Sequence, residues 1–105
     1  MAGSLQVRVV SPEKIVFEGE ASALVAPAWD GQVGILPDHA PMLALVGSGR
    51  LHVERVGGGS AEFHVAGGVL KVERNHVTLL TEYAGSEPPA EVPASAVVHA
   101  EDVEA

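Results

Sequence analysis

Arg50-Leu51-His52-Val53-Glu54-Arg55-Val56, then Gly57-Gly58-Gly59-Ser60, then Ala61-Glu62-Phe63-His64-Val65, read as two alternating strands joined by a turn. Successive side chains of a strand face opposite ways, so Phe63 and Val65 are aimed inward and Glu62 and His64 outward. The same pattern continues on both sides. Upstream, Leu5-Gln6-Val7-Arg8-Val9 alternates, Ser11-Pro12-Glu13 turns, and Lys14-Ile15-Val16-Phe17-Glu18 and Glu20–Pro27 are extended. Trp29-Asp30-Gly31-Gln32 carries an Asp-Gly hairpin signal, followed by the short strands Val33–Leu36 and Pro41–Val46. Downstream, Gly67-Gly68 breaks the chain, Val69–Glu73 follows, and Arg74-Asn75 turns into His76–Thr81. Eight or more short strands with no helical period before residue 84 predict an all-β domain, a sandwich or a barrel.

At 105 residues the chain has room for one domain. Its apolar content is 47% with only 4% aromatic residues, which suits sheets packed by aliphatic side chains. The absence of cysteine excludes disulfides, thiolate metal sites and Cys nucleophiles. A net charge of −8 excludes the basic footprint of a nucleic-acid binder and argues against unaided binding to an anionic membrane. No apolar run reaches transmembrane length, and Met1-Ala2-Gly3-Ser4 does not read as a signal peptide, so a cytoplasmic location is expected. All six Lys and Arg precede residue 85. The boundary is therefore set at the Pro-rich Gly85–Pro93 stretch, giving a β domain over 1–84 and an acidic tail over 85–105, disordered or briefly helical.

Three chemistries compete for the polar residues. His52 and His64 lie nearly opposite each other if the chain turns at Gly57–Gly59, a pairing that suits a stand-alone ligand- or metal-binding sandwich or is simply a polar surface. Asp30, Asp38, His39 and Glu20 supply groups for acid–base catalysis if they converge. No Gly-x-Ser-x-Gly elbow or phosphate loop is present, and no cofactor is expected. The third candidate is the segment Ala26–Leu43. Pro37 and Pro41 bracket Asp38-His39-Ala40 and restrain the loop, with Asp38 tolerated in left-handed backbone. Such a loop suits either docking at low entropic cost or a corner between two sheets.

Val10-Ser11-Pro12-Glu13, Val16-Phe17-Glu18-Gly19-Glu20-Ala21 and Gly31-Gln32-Val33-Gly34-Ile35-Leu36-Pro37-Asp38-His39-Ala40-Pro41-Met42-Leu43 closely resemble the epsilon subunit of bacterial F-type ATP synthases. Gly67–Val72 and Asn75–Leu80 match that family's later strands in order and spacing. The resemblance implies a flattened β-sandwich of two roughly five-stranded sheets in a rotor stalk on the cytoplasmic face of the bacterial plasma membrane. It implies a non-catalytic subunit that joins the gamma subunit to the c-ring and couples proton flow to ATP synthesis. Interface surfaces on small sandwiches need not self-associate, so a monomer is expected in isolation. By match of motif, Gln32 and the loop Pro37, Asp38, His39 and Ala40 would face the c-ring. Family members often carry an acid at the position of Gln32 and glycine at that of Asp38. His99–Ala105 resembles only the entrance to the family's C-terminal helical hairpin, so an inhibitory hairpin is expected to be absent.

Overall fold

The computed structural model describes residues 3–89, and the expectations for the tail beyond them lie outside the described residues. The described residues form seven strands: β1 (Leu5–Val10), β2 (Ile15–Ala28), β3 (Gly31–Ile35), β4 (Met42–Leu45), β5 (Ser48–Arg55), β6 (Ser60–Glu73) and β7 (His76–Gly85). No helix occurs among the described residues, as the lack of a helical period predicts. Two expected breaks are continuous. The expected strands Lys14–Glu18 and Glu20–Pro27 run together as one strand, β2, which begins at Ile15, and Gly67-Gly68 lies inside β6.

The pairings divide these strands into two five-stranded layers. In the first, residues 15–21 of β2 pair with β1, which lies parallel to residues 76–80 of β7; the far end of β6 and then β4 complete it. In the second, β3 flanks residues 24–28 of β2, followed by β5, residues 60–66 of β6 and the end of β7. Strands β2, β6 and β7 therefore serve both layers. Around the molecule β1, β2, β5, β6 and β7 form a closed circuit of paired strands.

Each shared strand must exchange its inward residues as it crosses. In β2 the buried positions change from odd (Ala21) to even (Leu24, Ala26), and the shift is made by a bulge at Ser22, between Ala21↔Arg55 and Ala23↔Glu54. In β6 the change runs from Val65 to Leu70 and Val72 across Gly67-Gly68. Gly68 has φ +114°, and a Cβ there would lie 1.8 Å from the Leu80 carbonyl oxygen, so only glycine fits. In β7 the crossing is at Thr81, whose buried hydroxyl lies 3.1 Å from the Ala66 carbonyl and 2.9 Å from that of Tyr83 and donates to one of them. Between the layers Leu5, Val7, Val9, Leu24, Ile35, Leu51, Val53, Leu70, Val77 and Leu79 form one aliphatic core.

Candidate functional site

The register fixes what each layer shows to solvent. On the outside of the first layer, one cross-strand row runs Leu45–Val69–Leu80–Val10–Ile15 through four successive pairings. Leu45, Leu80 and Ile15 are 57%, 54% and 47% exposed, and Leu43 on the next row is 72% exposed. That next row runs Leu43–Lys71–Thr78–Arg8–Glu18 and carries the Arg8–Glu18 ion pair at 3.5 Å. A contiguous exposed aliphatic row of this kind marks an interaction surface. The signal in the sequence was present: Met42-Leu43-Ala44-Leu45 is apolar without alternation, and Leu79-Leu80 cannot both face the core. In a sandwich strand, an unbroken apolar run means that the second face is covered by something.

The outside of the second layer is charged instead. His52 Nδ1 lies 2.9 Å from Glu62 Oε2 and His52 Nε2 lies 3.1 Å from Glu54 Oε2, while Arg50 lies 3.8 Å from Glu62. The hydrogen bonds to Glu54 and Glu62 raise the His52 pKa above the ordinary imidazole value, and the bond from His52 holds Glu62 below the ordinary carboxylate value. His64 is not opposite His52: the register pairs His52 with Glu62 and Arg50 with His64, so the two imidazoles are diagonal neighbours. Both His52 nitrogens are committed to carboxylates, and among the described residues no group of three or more His, Asp or Glu is placed to hold a metal ion.

The proposed acid–base residues do not assemble into one group. Asp30 is at the tip of the β2–β3 hairpin, whereas Glu20 accepts a hydrogen bond from Gln6 Nε2 at 3.1 Å. Asp38 and His39 lie in the connection that carries the chain from β3 in the second layer to β4 in the first. Gln32 pairs with Pro27 at the start of β3, while Pro37–Ala40 follow its end. At roughly 3.3 Å per residue, about 17 Å of chain separates Gln32 from Pro37.

Pro37–Ala40 form a tightly determined loop. Asp38 has φ 70°, the left-handed backbone in which glycine is most at ease. The His39 amide donates to the Leu36 carbonyl at 3.1 Å, and His39 Nδ1 lies 2.7 Å from the Ala40 carbonyl. Because a carbonyl only accepts, that contact requires a proton on Nδ1, and it leaves Nε2 as the nitrogen that can face a partner. The Asp38 amide donates to Asn75 Oδ1 at 2.6 Å, and Asn75 Nδ2 donates back to Asp38 Oδ1 at 3.3 Å. Sequence reading found the loop but not the Asn75 contact, because nothing in local spacing joins residues 37 apart.

Comparison with known proteins gives a consistent result. Residues 4–87 match the family model described as ATP synthase, Delta/Epsilon chain, beta-sandwich domain. The ATP synthase epsilon chain of Leptospira borgpetersenii is 44% identical over 82 residues, 78% of this chain and 64% of that one. The ATP synthase epsilon chain of Alkalilimnicola ehrlichii is 41% identical over 81 residues, 77% of this chain and 58% of that one. The chain thus spans less than two thirds of the length of these relatives. A chain of the Euglena gracilis mitochondrial ATP synthase OSCP/F1/c-ring structure shares the fold with a TM-score of 0.73 at 20% identity, over 77% of this chain and 52% of that one. A chain of the Tetrahymena thermophila mitochondrial ATP synthase central stalk and c-ring gives a TM-score of 0.64 at 20% identity, over 79% of this chain and 66% of that one.

Proposed function

The chain belongs to the ATP synthase delta/epsilon chain family, and from that premise we propose that it is a non-catalytic central-stalk subunit of a proton-translocating F-type ATP synthase. In this reading it links the gamma subunit to the c-ring at the cytoplasmic face of the membrane. Rotation generated in the ring is carried through a rigid sandwich, and the nucleotide chemistry belongs to other subunits. The observation that carries the proposal is the aliphatic row Leu45–Val69–Leu80–Val10–Ile15, set on one face of a domain whose opposite face is charged.

That row is the gamma-facing surface in this reading. Gln32 and the loop Pro37, Asp38, His39 and Ala40 face the ring, which would meet them as two separate points of contact. The solvent cost of leaving several leucine and isoleucine side chains exposed is removed when gamma covers them. Polar contacts at the loop add orientation and specificity more than affinity.

The test is to mix the purified chain with the gamma subunit of the same source and measure mass by size-exclusion chromatography with light scattering. A one-to-one complex is expected. Leu80→Glu and Leu45→Glu change exposed positions, so stability should move by about 0.5 kcal/mol or less. Binding should fall roughly tenfold or more, because each change sets a charge within the apolar row that the partner would cover. Wild-type protein that stays folded and unbound at micromolar concentration would reject the assignment.

A further inference from the structure

Among the described residues three non-glycine positions have positive φ: Asp38 at 70°, Arg74 at 52° and Asn75 at 63°. They belong to two turns far apart in sequence that meet at one end of the sandwich, and the contact between them is reciprocal. Asn75 does more than fill its own turn. Its side chain accepts the Asp38 amide and donates to the Asp38 carboxylate, while its backbone carbonyl accepts the Gln6 amide at 2.7 Å. One residue thus ties the β3–β4 loop to the β6–β7 turn and to the start of β1.

Left-handed backbone is unfavourable for a residue with a Cβ and persists where surrounding contacts over-determine it. At Asp38 the turn's own bond, from the His39 amide to the Leu36 carbonyl, is one such contact, and the two side-chain bonds to Asn75 are the others. Without them the backbone of Asp38 relaxes toward the right-handed or extended regions, and the next residue is His39. The flanking prolines restrict φ at positions 37 and 41, not at 38. The placement of His39 is therefore set both by its own turn and from across the molecule.

We infer that Asn75 is the positioning residue of the docking loop: through Asp38 it holds the His39 imidazole in the orientation that a stalk partner reads. This inference rests on the proposal that the loop is a docking element. Asn75 itself need not touch the partner. Its amide matches the two groups Asp38 offers, one donor and one acceptor, and a carboxylate at 75 could satisfy only the first.

The experiment compares Asn75→Asp, Asp38→Asn and the exchanged pair Asn75→Asp/Asp38→Asn in the full chain. Asn75→Asp keeps the acceptor for the Asp38 amide but sets two carboxylates against each other; the exchanged pair restores one amide facing one carboxylate. Two readouts are taken: amide hydrogen exchange at His39 and Ala40, and affinity for a central stalk assembled from the gamma subunit and c-ring of the same source. For Asn75→Asp we expect faster exchange at His39 and about fivefold to tenfold weaker binding, the effect of losing one hydrogen bond and gaining a repulsion. The exchanged pair should return both readouts to within about twofold of wild type. A merely structural Asn75 would lower the melting temperature and weaken protection evenly across the sandwich, with no recovery specific to the loop.

Unchanged exchange at His39 in Asn75→Asp overturns the inference, as does a failure of the exchanged pair to recover. Altered exchange with unaltered affinity overturns the claim that a partner reads this orientation. If the wild-type chain does not bind the assembled stalk, the docking proposal fails instead, and the exchange readout still decides whether Asn75 positions His39.

Discussion

Single residues carry specific duties in this fold. Gly68 is the most exacting, because its backbone lies against the Leu80 carbonyl and no side chain fits between. Gly68→Ala should cost about 4 kcal/mol or more, since it combines a backbone clash with an unfavourable φ; urea denaturation measures it. His52 gives a pH-dependent prediction. Its folded pKa is raised by Glu54 and then Glu62, so its stabilisation is complete below the unfolded imidazole value and is lost as pH rises through the raised value. Glu62 is lowered by His52, so its share is complete above the unfolded carboxylate value and is lost as pH falls through the lowered one. Both shares are present together between about pH 4.5 and 6.5. The melting temperature of wild type should exceed that of His52→Gln most in that window, with the gap closing toward pH 9. A gap independent of pH would rule out the ionic origin.

Elements show how a strand changes layers. The bulged residue Ser22 allows β2 to present Ala21 inward in one layer and Leu24 in the next. Deleting Ser22 should turn Leu24 and Ala26 outward and Val25 inward, abolishing the cooperative fold. Loss of dispersed amide signals in a proton–nitrogen correlation spectrum, with dye binding to exposed apolar surface, would report it; a dispersed spectrum would contradict the parity argument. This crossing also divides what local sequence encodes from what it does not. Alternation over Leu5–Val9 and Ala61–Val65 announced strands and faces, and Asp30-Gly31 and Gly57–Ser60 announced the hairpins, because those signals are local. Gly19 and Gly67-Gly68 looked like breaks because glycine usually punctuates; here the strand pairing continues through them, at Gly67-Gly68 by means of a positive φ. The aliphatic row and the Asn75–Asp38 contact depend on register between distant strands, which no short window contains.

At the scale of the whole molecule, the closed circuit has one parallel joint, between β1 and β7, and it joins the first strand to the last. Loosening any shared strand opens both layers at once, so unfolding should be a single transition whose calorimetric and van't Hoff enthalpies agree. A mutation such as Leu79→Ala, fully buried and paired with Val9 in that joint, should lower stability by about 2–5 kcal/mol without splitting the transition. Two separated transitions in calorimetry would refute the idea that the layers act as one. The joint also sets a timetable. On a ribosome, β1 emerges first and can meet β2, but its other edge has no partner until β7 has been made. The nascent chain therefore waits with an open edge and an incomplete core through nearly the whole of the β domain's translation. Its hold on the ribosome should change abruptly, in one late step, when Leu80 clears the exit tunnel.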